Sequence, residues 1–112
     1  MTRRPPPWQA GQRCYIYCCL RVMPLWQQVA PGSIQVPCAL CGVSVWISPA
    51  SSSPPQDAPA YYLCLQCFVE ALPLDMQPCV LPANRAELDR LYGPRDWDQV
   101  ARARLDQWRR SY

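Results

Sequence analysis

Apolar side chains recur along this chain with two spacings, one typical of strands and one typical of a helix. Residues 12–22 are rich in aromatic and β-branched types and predict a strand, and residues 33–47 predict two short strands around a tight turn. Residues 97–112 place apolar side chains at helical spacing, with Asp96 as the cap and Gln99 completing a capping-box pattern. The predicted apolar face of this helix comprises Trp97, Ala101, Leu105, Trp108 and Tyr112.

Proline, glycine and serine mark where regular structure ends. Residues 48–60 are rich in Ser and Pro and lack apolar periodicity, which predicts a long loop. Short helices are expected at 67–72 and at 85–92, the second with Asn84 as its N-cap and ending at Gly93-Pro94.

These elements predict a small α+β protein in three parts. They are a proline-rich flexible arm (1–11), a β-rich domain (12–83) and a C-terminal helical segment (84–112) that packs on that domain. The chain has only 112 residues, and 14 of them are proline. Because a core of this size is marginally stable, we expect the fold to need a staple.

Two Cys-x2-Cys pairs separated by 22 residues supply a candidate for that staple. Cys38, Cys41, Cys64 and Cys67 would provide four thiolates, the ligand set that structural zinc prefers. Four protein ligands leave no position open for water, so the predicted cofactor is one structural zinc ion per chain. Binding of the metal would then contribute folding free energy.

Three other interpretations of the cysteine pairs stay open. A rubredoxin-like iron site matches residues 38–42, although no glycine follows Cys67. A thioredoxin-type redox dithiol would need one pair in a βαβ context. Disulfides would prevail in a secreted chain. However, Met1–Arg4 is followed by prolines rather than an apolar segment, so we expect no signal peptide and a reducing, cytoplasmic location.

The remaining cysteines are candidates for a second metal site or for buried thiols. Cys14 and Cys18, if both lie in one strand, would be about 13 Å apart at ~3.3 Å per residue, which is too far for one ion. Free cysteine also packs as a small hydrophobic residue. The four residues concerned are Cys14, Cys18, Cys19 and Cys79.

The segment 34–72 resembles the treble-clef and zinc-ribbon group of small zinc folds. The resemblance rests on the knuckle at 38–42, a strand pair, and the second pair at 64–67. A ribbon would continue into a strand after Cys67, whereas residues 68–72 suit a helix, so the resemblance implies a treble clef. Members of this group bind nucleic acids or proteins, and the fold alone therefore does not choose a function.

Charge and composition favour a binding protein over an enzyme. The chain has no histidine for acid–base catalysis at neutral pH and no recognisable catalytic motif. The net charge is +3, and all 11 basic residues are arginine, a usage typical of GC-rich genomes. We therefore expect a bacterial or phage accessory protein, a non-catalytic adaptor that attaches to a protein partner in a larger complex. No apolar run is long enough to span a membrane.

Nucleic-acid association is the alternative function. It would have to use the termini, because no basic residue occurs from Val22 to Asn84, and phosphate contacts need Lys or Arg. A solvated helix face balanced by Asp98 and Asp106 is the competing interpretation. The candidate contacts for a protein partner or a nucleic acid are Arg3, Arg4, Trp97, Arg102, Arg104, Trp108, Arg109 and Arg110.

Overall fold

The chain folds into a small α+β structure, as its pattern predicts. The computed structural model describes residues 6–9, 11–23, 27–72 and 77–111. Within these residues it contains four strands and three helices. They are β1 (Tyr15–Arg21), β2 (Ile34–Pro37), β3 (Ser44–Ile47), β4 (Ala60–Cys64), α1 (Leu65–Ala71), α2 (Pro82–Tyr92) and α3 (Trp97–Ser111).

Two compact units divide the chain, Met1–Ala71 and Leu72–Tyr112. The first contains the sheet and α1, and the second contains α2 and α3. The boundary that the sequence predicts after residue 83 stays a prediction. Packing of the helical segment on the β-rich domain stays a prediction.

The four strands form one sheet in the order β2-β3-β1-β4. The pairs β2–β3 and β1–β3 are antiparallel, and the first is the predicted hairpin. In contrast, β4 runs parallel to β1, with Cys19 in register with Cys64. The long loop between β3 and β4 carries the chain past β1, so β4 forms the edge of the sheet and pairs in parallel with β1.

The core of the first unit is small and includes thiols. Its buried apolar side chains larger than cysteine number five among the described residues, and three cysteines are buried with them. Burying five such side chains contributes only about 1.5–3 kcal/mol each. The buried residues are Cys19, Cys38, Leu40, Val45, Ile47, Leu63, Cys64 and Phe68.

Part of the predicted arm packs on the first unit. The Trp8 ring lies 5.7 Å from the Tyr61 ring on β4, measured between centroids. Residues 1–5 and 10 of the arm lie outside the described residues.

In the second unit the predicted cap of α2 is wrong. The helix begins at Pro82 with Leu81 as N-cap, so Asn84 lies within the first turn. Proline prevails at this position because its fixed φ suits the first helical residue and its missing N–H needs no partner there. The end of the helix is as predicted, since Gly93 has a φ of +85° and donates its N–H to the Asp89 carbonyl.

The beginning of α3 is confirmed. The Asp96 carboxylate accepts a hydrogen bond from the Gln99 amide at 3.2 Å. On the predicted apolar face, Trp97 and Leu105 are buried, and Tyr112 lies outside the described residues. Among the residues described, no helix is both long enough and apolar enough to cross a membrane.

Candidate metal centre

The first cysteine pair lies in the turn between β2 and β3. The Cys38 amide donates to the Val43 carbonyl at 2.7 Å, and the Gly42 amide donates to the Cys38 carbonyl at 2.9 Å. Gly42 has a φ of +80°, a conformation that residues with a Cβ rarely adopt. The turn therefore depends on glycine at this position, and it holds Cys38 and Cys41 on a short, closed segment.

The second pair lies where β4 becomes α1. Cys64 is the last residue of the strand, and Cys67 falls in the first turn of the helix. The sequence predicted a helix at 67–72, but α1 begins at Leu65 and ends at Ala71. The earlier start places Cys67 about one helical turn beyond Cys64, so both sulfurs can face the same point.

Two hydrogen bonds join the segments that carry the pairs. The Ala39 amide donates to the Tyr62 carbonyl on β4 at 2.9 Å. The Cys64 amide donates to the Cys38 sulfur at 3.3 Å. These bonds fix the knuckle against the end of β4, although 22 residues separate the two pairs in sequence.

The four sulfurs have the spacing that one tetrahedral ion requires. The Sγ atoms of Cys38, Cys41, Cys64 and Cys67 all lie within 4.8 Å of one another. The Cys41 and Cys64 sulfurs are 3.8 Å apart, and a tetrahedral zinc with Zn–S bonds of about 2.3 Å would space its sulfurs about 3.8 Å apart. All eight cysteines are free thiols in this structure. The four residues therefore fit a tetrahedral metal ion.

Backbone hydrogen bonds favour the thiolate form of one of the four cysteines. Burial alone would raise the pKa of Cys38, but N–H groups of Cys41, Cys64 and Leu40 lower it to about 6. In contrast, burial raises the pKa of Cys41 and of Cys67, and neighbouring thiols raise that of Cys67 further. Four thiolates at one point thus need a cation to balance their charge.

Arg21 is a residue of the centre that sequence reasoning missed. Its Nη2 atom lies 3.4 Å from the Cys64 sulfur and 3.1 Å from the Gln66 side-chain oxygen. The hydrogen bond to Cys64 raises the pKa of Arg21. Strand alternation shows that Arg21 shares a face with Cys19, but only the parallel pairing of β1 with β4 brings that face to Cys64.

The other four cysteines do not join this group. Cys14, Cys18 and Cys19 lie at or within β1, where Cys19 is buried and Cys18 is exposed, and Cys79 is exposed in the second unit. Across the part of the chain that the structure describes, the group at 38, 41, 64 and 67 is the one set of three or more candidate ligands that lies together.

The predicted partner contacts fall into three groups. Arg3 and Arg4 lie outside the described residues. Trp97 is buried, and its indole Nε1 donates to the Asp89 carboxylate of α2 at 2.7 Å, so it serves the second unit itself. On α3, Arg102, Arg104 and Arg110 are exposed. Trp108 and Arg109 on the same helix are half-buried.

Comparison with known proteins does not assign the chain to a family. No family model matches it, and neither the curated proteins nor the solved structures contain a significant match. The function must therefore be argued from the four sulfurs and their surroundings.

Proposed function

We propose that this chain binds one zinc ion through Cys38, Cys41, Cys64 and Cys67, and that it acts as a non-catalytic adaptor. The observation that carries the proposal is the convergence of four sulfurs within 4.8 Å from two distant segments. The resemblance to a treble clef is supported by the knuckle between β2 and β3 and by the second cysteine pair at the start of α1.

A structural role for the metal follows from its ligands. Four thiolates complete the shell of zinc and leave no position for a substrate or a reactive water. Cys38 and Cys64 are buried, with 3% and 0% of their surface exposed. The ion would thus be covered on the side of these two ligands, where it reinforces a core of few apolar side chains, and would face solvent on the side of Cys41.

Exposed apolar side chains support a protein partner. Leu20 and Met23 are 58% and 55% exposed, and Leu20 pairs across the sheet with Trp46. Gln27 accepts from the Trp46 indole at 2.8 Å and from the Met23 amide at 3.2 Å, which holds this region in place. Large apolar groups beside a fixed aromatic ring are typical of protein-binding surfaces.

Two measurements test the proposal. Elemental analysis of protein purified without added metal should give about one zinc per chain, and its absence would refute the metal centre. Affinity capture from the source cells with the wild type and with Leu20→Ser should then give a partner that the variant loses. Glu70→Gln, an exposed substitution on α1, serves as the control.

Nucleic-acid binding is the outcome that would replace the adaptor role. Labelled DNA and RNA should show no binding whose affinity falls steeply with salt. Steep salt dependence, abolished when Arg102, Arg104, Arg109 and Arg110 are changed to alanine, would favour a nucleic-acid-associated factor instead.

A further inference from the structure

We propose that Arg21 is a positioning residue of the metal centre, which neutralises the charge of the Cys64 thiolate and slows the release of the metal. The inference rests on the proposed zinc site and deepens it. It assigns a role to a side chain from a strand that contributes no ligand.

The charge of the site creates the need for such a residue. Zinc with four thiolates has a formal charge of about −2. The described part of the first unit contains two basic side chains, Arg13 and Arg21. Arg13 is bonded to Asp57 at 2.7 Å, whereas Arg21 donates a hydrogen bond to the Cys64 sulfur. The arginine is thus the cation that can offset this charge.

The contact of Arg21 with the site is specific. One nitrogen, Nη2, donates to the Cys64 sulfur at 3.4 Å and to the Gln66 side-chain oxygen at 3.1 Å. Gln66 lies between the two ligands of its pair, in the first turn of α1. The guanidinium therefore links the thiolate to the helix that carries Cys67.

The backbone of Arg21 is fixed on two sides. Arg21 pairs with Val45 in the ladder between β1 and β3. Its carbonyl oxygen accepts from the Gln27 side-chain amide at 3.0 Å. This anchoring fixes the backbone position from which the side chain reaches the sulfur, so the contact costs only the rotamer freedom of the side chain itself.

A hydrogen bond to a metal-bound thiolate stabilises the metal–ligand bond against protonation and dissociation. Residues in this position typically change metal affinity by about 10- to 100-fold when they are mutated. Arg21 is exposed to solvent, which screens its charge. We therefore expect an effect near the lower limit, about 10-fold.

The test is the rate at which the zinc-loaded full chain releases its metal to an excess of a coloured chelator. Arg21→Ala should release zinc about 10-fold faster than the wild type. Arg21→Lys, which keeps the charge and a donor, should lie closer to the wild type than to Arg21→Ala. Arg13→Ala is the matched control, since it removes an arginine of the same unit that is bonded elsewhere, and its rate should be unchanged.

A spectroscopic signature separates positioning of the thiolate from general support of the strand. In the cobalt-substituted protein, loss of the hydrogen bond raises the energy of the sulfur electrons. The sulfur-to-cobalt charge-transfer band of Arg21→Ala should therefore move to lower energy, while the visible bands of tetrahedral cobalt remain.

The outcomes distinguish this inference from the site on which it rests. A wild type that binds no metal would refute both. A wild type that binds one zinc, with equal release rates for wild type, Arg21→Ala and Arg13→Ala, would refute the role of Arg21 alone. Faster release without a shift of the charge-transfer band would also overturn it, because Arg21 would then only support the sheet.

Discussion

Of the four ligands, Cys64 is the one whose replacement by serine tests the structural role of the metal most directly. Cys64 has no exposed surface, its sulfur lies 3.8 Å from that of Cys41, and it accepts the Arg21 hydrogen bond. Serine at this position would leave three thiolates and a hydroxyl that binds zinc poorly.

The size of the effect follows from the binding energy of the whole site. Structural zinc binds four ligands with about 10–16 kcal/mol, which is about 2.5–4 kcal/mol per thiolate. At 1.4 kcal/mol per factor of ten, the loss corresponds to about 100- to 1000-fold weaker binding. Since domains are stable by only about 5–15 kcal/mol, the same loss should remove much of the stability of the first unit.

The assay is chelator competition for the metal affinity, together with urea unfolding in excess zinc for the stability. Cys79→Ser is the control, because Cys79 is exposed in the second unit and its replacement should change stability by less than about 0.5 kcal/mol. Equal metal affinities for Cys64→Ser and the wild type would refute the reasoning. Equal losses of folding stability in Cys64→Ser and Cys79→Ser would also refute it.

Three further predictions address the knuckle, the exposed ligand and the second unit. Gly42→Ala should lose about 1–2 kcal/mol of folding stability, because of the positive φ at this position, and should release zinc faster. Gly11→Ala is the control, since Gly11 has a similar φ and equally open space, and it should leave the release rate unchanged. Equal release rates in the two variants would contradict this prediction. Among the four ligands of the zinc-loaded protein, iodoacetamide should label Cys41 first, because it is the exposed one. Earlier labelling of a buried ligand in peptide mass spectra would be the opposite result. The hydrogen bond from the Val80 amide lowers the pKa of Asp98, so the ionised carboxylate contributes to folding stability above about pH 4, and this contribution is lost as pH falls through the lowered pKa. The difference in melting temperature between the wild type and Asp98→Ala should therefore shrink below that pH. A constant difference would refute the prediction.

Local signals in the sequence predicted the parts of the site that form from neighbouring residues. The hairpin, its turn at 38–42 and the convergence of the two cysteine pairs follow from alternation, glycine placement and ligand spacing. The Asp96 cap followed in the same way, because a cap is satisfied within a few residues of itself.

Long-range pairing and competition between local signals account for what the sequence did not predict. The parallel register of β1 with β4 depends on contacts across more than 40 residues, so the approach of Arg21 to Cys64 had no local signal. At the start of α2 the sequence analysis chose Asn84 as the cap, but the helix begins at Pro82, because proline suits the first helical position.

Zinc K-edge X-ray absorption on the protein as purified tests the central claim directly, since it reports both the metal and its neighbours. The account predicts one zinc per chain surrounded by four sulfurs at about 2.3 Å. A chain without metal, or a zinc shell that contains nitrogen or oxygen in place of a sulfur, would contradict it.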